Sequence, residues 1–120
     1  MKLRRQALIV MAAYYAASGA WPIVHMRSFE AVTGPKTDHW LVRTVGALAL
    51  ANGAALAFGA RREEIPAETV ALAICSALAF SAIDVVYVTR GRIAPVYLGD
   101  AAVELALAAV IAAGDALADG

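Results

Sequence analysis

Three acidic side chains stand inside otherwise apolar runs: Asp84, Asp100 and Glu104. Asp100 and Glu104 are four residues apart, so on a helix they share one face with Tyr97. Ser76, Phe80, Asp84 and Tyr87 line a second such face, and Tyr14, Ser18, Trp21 and His25 a third. Arg43 opens another apolar run, with Trp40 one turn before it. These types allow several chemistries. A carboxylic acid could protonate a substrate while a second group removes a proton, as in an isomerisation. Asp100 and Glu104 could hold a cation together, and Arg43 could grip a carboxylate with its planar fork. His25 and His39 are too few for a convincing metal centre, so no metal and no cofactor are expected. The chain has no Walker loop, no GxSxG and no CxxC. An ATP-driven pump, a lipase-like hydrolase and a thiol oxidoreductase therefore lack their parts. Whether the protein is an enzyme stays open.

The elements that position these residues follow from composition. The chain has 120 residues, 62% hydrophobic and 17% charged. Soluble domains are about 45–50% apolar and about 25% charged. A soluble domain of this length has too much surface to hide so much apolar side chain. Ten basic and ten acidic residues cancel, which leaves no basic excess for nucleic acid. Cys75 is the only cysteine, so no internal disulfide forms, and mid-span it is expected as a small packing residue. A membrane helix needs about 20 mostly apolar residues. Four stretches qualify, at about 6–26, 41–60, 67–89 and 94–114. The reading is one all-α domain over 1–120, an integral membrane antiparallel four-helix bundle in contact with the lipid bilayer.

The connections differ in character. Between spans one and two, Gly34-Pro35 stops a helix, and Phe29 and Val32 suggest a short interfacial turn. Arg61 to Glu64 with Pro66 forms a tight charged link, and Pro66 suits the start of span three. The basic start followed by an apolar run also resembles a secretory signal, but Tyr14, Tyr15 and Pro22 argue against cleavage. Lys2, Arg4, Arg5, Arg61 and Arg62 fall on one side, and Arg27, Lys36, Arg43, Arg90 and Arg92 on the other. The balance is even, so the positive-inside rule turns on the first span, whose flank is rich in charge. Both termini are expected in the cytoplasm, in a bacterial inner membrane. Trp21 and Trp40 read as interface anchors. Ala47, Ala51, Ala55 and Gly59, and Ala108, Ala112 and Ala116, form small-residue stripes suited to close backbone approach. Asn52 lies opposite Arg43 and is expected to bond to a neighbouring helix.

Antiparallel spans bring His25, Arg43, Asp84, Asp100 and Glu104 to one leaflet, where each helix can turn a polar face inward. Glu104 then lies about 15 Å into span four at 1.5 Å per residue. Its charge costs a few kcal/mol there unless a cation, a proton or water offsets it. Arg43 is the expected cation, with Asp100 or Glu104 as partner and Asp84 as competitor.

The stretch Trp21 to Glu30, then Thr33 to Lys36, Asp38 to Arg43, Arg43-Thr-Val-Gly46 and the Asp84 to Asp100 hairpin, resembles small bacterial four-helix membrane proteins of the broad DoxX-like group. A weaker similarity is to the EXPERA group, which includes sterol isomerases and also has intramembrane carboxylates around a pocket. Neither resemblance carries over a catalytic role. The sequence thus points to a charged, half-buried chamber that binds or passes a small amphiphilic ligand, lined by His25, Arg43, Asp84, Tyr87, Tyr97, Asp100 and Glu104. The other reading is a structural or accessory subunit whose intramembrane charges form a packing network. A homo-oligomer or a partner membrane protein is compatible with either.

Overall fold

A computed structural model describes residues 2–119, with side chains over 3–114. The side chains of Lys2, Asp115, Ala116 and Asp119 lie outside the described residues. Five helices follow in order: α1 (Lys2–Val24), α2 (Met26–Thr33), α3 (His39–Ala60), α4 (Ala67–Thr89) and α5 (Val96–Asp119). The described residues contain no strand. Four segments are long and apolar enough to cross a membrane: Leu3–Val24, His39–Ala60, Ala67–Thr89 and Val96–Gly114. At 1.5 Å per residue each covers about 30 Å, the thickness of the hydrocarbon.

The ends of the helices follow local chemistry. α1 includes Pro22, which lacks the N–H that would bond to the Ser18 carbonyl and stands just before the helix stops. His25 then takes an extended backbone and caps α2, its Nδ1 accepting from the Ser28 N–H at 3.2 Å. α2 is a full two-turn helix where the sequence suggested only a turn. It ends at Gly34, whose φ of 100° suits glycine. Pro66 stands just before α4, and α5 begins after Pro95, two residues later than the sequence suggested.

Packing inverts the pattern of a soluble protein. Large apolar residues point outward, including Ile9, Val10, Leu48, Leu78 and Ile83, each about half exposed. The interior holds alanine, glycine and a few large side chains, among them Leu8, Met11, Tyr15, Leu56 and Ile111. Such an exterior suits lipid.

α1 and α3 make the most extensive contact and run in opposite directions, with Gly19 beside Gly46 and Ala12 beside Gly53. A Cβ on Gly53 would lie 2.7 Å from the Ala12 carbonyl oxygen, so the two backbones touch there. The buried face of α3 is Gly46, Ala49, Gly53, Leu56, Gly59 and Ala60. The expected stripe is thus corrected: Ala47, Ala51 and Ala55 are exposed, and Gly59, though buried, packs against Thr69 of α4. Glycine wins because backbone contact excludes even a methyl group. Cys75 is also exposed and does not pack in the core. α5 packs on both α1 and α4, whereas α3 and α4 meet slightly. Asn52 bonds a neighbouring helix as expected, its Nδ2 donating to Ser76 Oγ at 3.2 Å.

Two arginines fasten the end where α1 begins. Arg5 donates to the carbonyls of Ala60 at 2.5 Å, Arg62 at 2.7 Å and Glu63 at 3.0 Å, satisfying groups that the end of α3 leaves open. Arg4 Nε donates to the Ile111 carbonyl of α5 at 2.7 Å.

Gly53→Ala should destabilise the fold by about 1–2 kcal/mol, because overpacking against a backbone outweighs the better helix propensity of alanine. Gly99, with open space around its added Cβ, should tolerate Ala with no loss. Reversible unfolding in mixed micelles checks both, and equal effects would contradict the close α1–α3 contact.

Candidate functional site

The site grows from α1, where two tyrosines follow one another. Consecutive helical residues point about 100° apart, so Tyr14 and Tyr15 reach different neighbours. The Tyr14 hydroxyl donates to Asp100 Oδ1. The Tyr15 hydroxyl donates to Glu104 Oε1 at 2.6 Å. Asp100 and Glu104 lie one turn apart on α5, so α1 clasps two successive turns of its neighbour. α4 supplies the third carboxyl, Asp84, whose side chain lies beside that of Asp100. Two ionised carboxylates only accept, so a neighbouring pair of this kind can bond to each other only through a shared proton.

Burial is graded across the cluster. Glu104 is 1% exposed and Asp84 4%, while Asp100 and Tyr14 are half-buried. Tyr15 closes the inner side with Phe80, ring centroids 5.5 Å apart and edge to face. From the start of α5, Asp100 lies about 6 Å in and Glu104 about 12 Å. That is shallower than the sequence suggested, because α5 starts later. Two buried oxygens have no hydrogen-bond partner, Asp84 Oδ2 and Ser81 Oγ. Ser81 is itself 4% exposed and lies one turn from Asp84 on the same face.

Of the residues singled out from sequence, Asp84, Asp100 and Glu104 come together. Arg43 does not join them. It is exposed on α3 and makes no hydrogen bond or ion pair among the described residues. The carboxyls are met by tyrosine hydroxyls instead, which satisfy an acceptor without bringing a second charge out of water. His25 is exposed at the α1–α2 junction, bonded to Ser28. Tyr87 is 37% exposed, with Arg90 6.0 Å from its ring centre. Tyr97 sits under Lys36, whose Nζ is 5.2 Å from the ring centre, so it joins α5 to the α2 segment. Tyr15 and Ser81 were missed. Tyr15 follows Leu8 and Met11 at helical spacing on a core face, and a tyrosine buried there needs a partner for its hydroxyl.

Among the described residues, no group of three or more His, Cys, Asp or Glu is placed to hold a metal ion. Two shallow depressions, of about 500 and 770 Å³, lie away from the cluster, beside α2 and around the Arg62–Ala67 connection. The first is bordered by Glu30 and His39, whose Oε2 and Nε2 lie 3.2 Å apart. The Lys36 backbone N–H holds the half-buried Glu30 carboxyl below its ordinary range. No protein-family model, curated protein or solved structure matches the chain.

Tyr15 and Glu104 should be energetically coupled. Interhelical hydrogen bonds in membranes are worth about 0.6 kcal/mol on average and about 1.7 kcal/mol at most. Tyr15→Phe and Glu104→Gln, alone and combined, should show a coupling of about 1 kcal/mol in a double-mutant cycle of unfolding. Strict additivity would show that the hydroxyl and the carboxyl act independently.

Proposed function

We propose that the chain is an integral membrane protein that binds a small amphiphilic ligand at the cluster of Tyr14, Tyr15, Asp84, Asp100 and Glu104. The four long helices would form an antiparallel bundle on a DoxX-like plan, in a bacterial inner membrane with both termini in the cytoplasm. One observation carries the ligand reading: Ser81 Oγ and Asp84 Oδ2 are buried without a partner beside carboxyls that are otherwise paired. A finished packing network leaves few buried polar atoms unsatisfied, and each one calls for an unseen guest or a working role. An amphiphile would lay its polar head among these groups and its tail along the apolar helix faces.

A second reading is a packing network in a structural or accessory subunit. It is favoured by the two tyrosine–carboxyl bonds, which both join α1 to α5. Buried polar groups can fix helix register without further function.

Native mass spectrometry after gentle extraction separates the two. The ligand reading expects a bound small molecule on the wild type that is lost from Asp84→Asn. A bare mass for both, with the variant folded, would favour the packing network.

A further inference from the structure

We infer that the ligand's head group is a cation and that it enters the cluster in exchange for a proton; this rests on the ligand-binding reading above. The first support is what surrounds the carboxyls. Asp84 on α4 faces Asp100 and Glu104 of α5 and Tyr14 of α1, and Glu104 faces Tyr15 and Asp100. α3, the other helix against α4, brings Asn52 to Ser76, which adds no titratable group. No Lys, Arg or His of the described residues contacts the three carboxyls.

The second support is independent of charge. Ser81 Oγ and Asp84 Oδ2 are buried oxygens able to accept, and neither has a donor. Asp84 lies level with Asp100 across the α4–α5 contact, which runs in opposite directions, so Ser81 lies level with Glu104. The unmet acceptors therefore stand at both levels of the cluster. A guest that satisfies Asp84 Oδ2 as a carboxylate supplies a donor or positive charge, and the Ser81 hydroxyl, which can donate or accept, can turn a lone pair to it. Tyr14, Tyr15 and Phe80 add ring faces and edges around the same place, with successive centroids 6.3 and 5.5 Å apart. Aromatic faces attract a poorly hydrated cation such as an alkylammonium.

The exchange conserves charge. The O–H bond of the acid in the Asp84–Asp100 pair breaks, and its proton passes to water. The carboxylate left behind pairs with the incoming cation, so the cluster gains no net charge in the apolar layer. A neutral or anionic head group would leave that proton in place. It would also add no positive charge for the unmet oxygens.

Titration calorimetry on the full chain in non-ionic detergent tests this, with benzyltrimethylammonium as probe and its neutral isostere neopentylbenzene as control. Buffers of different ionisation heat count the protons. The expected result is release of about one proton per cation, with affinity rising by up to about tenfold per pH unit while the acid remains protonated. Asp84→Asn should weaken binding at least tenfold, and Glu104→Gln serves if that variant does not fold. The proton count itself needs only the wild type. Binding of the neutral isostere as tightly as the cation, or of the cation without proton release, overturns the inference. Failure of the folded wild type to bind the cation also overturns it. The native-mass adduct then decides the ligand reading separately.

Discussion

A carboxyl group set a turn or two inside an apolar helix has to find a hydrogen-bond donor or keep its proton, and this requirement governs the arrangement of α1, α4 and α5. Asp100 and Glu104 find their donors on α1, Asp84 finds Asp100, and no basic side chain intervenes. A hydroxyl donor demands closeness. The tyrosine ring has a fixed reach, so α1 and α5 have little freedom to slide or rotate. The same helix is held on its other side by backbone contact at Gly19–Gly46 and Ala12–Gly53. The rotation of α1 is thus set twice, by polar bonds on one face and by glycine on the other.

The basic residues serve elsewhere. Arg4 and Arg5 donate to helix carbonyls, Lys36 lies over Tyr97 and donates to the Thr33 and Gly34 carbonyls, and Arg61 and Arg90 lie over Phe58 and Tyr87. All are at helix ends or in connections, where long side chains keep their charged heads close to water. Capping and ring contacts thus occupy basic residues at both ends of the helices.

Much of this was legible in the sequence. The four spans show because hydropathy over some twenty residues averages out local detail. Asp84, Asp100 and Glu104 stand out because acids are rare in apolar runs. Arg43 misled because sign alone suggests a partner, while position on the α3 surface decides whether it can reach. Tyr15 hid behind Tyr14, since a search for one polar stripe passes over a hydroxyl on the core face. The glycine face of α3 was read one residue out of phase, because alanine and glycine look alike by size, and only backbone contact separates them.

The contact between α1 and α3 also has a consequence for how the protein is made. Both surfaces exist once Ala60 has left the ribosome, so this pair can assemble while the second half of the chain is still being synthesised. The acceptors for the Tyr14 and Tyr15 hydroxyls come last, on α5. A helix carrying two acids partitions poorly into lipid alone. When α5 emerges, α1 already offers two hydroxyl donors to its acids. The order of the chain thus presents the two α1 donors before the α5 acceptors that complete the polar cluster exist.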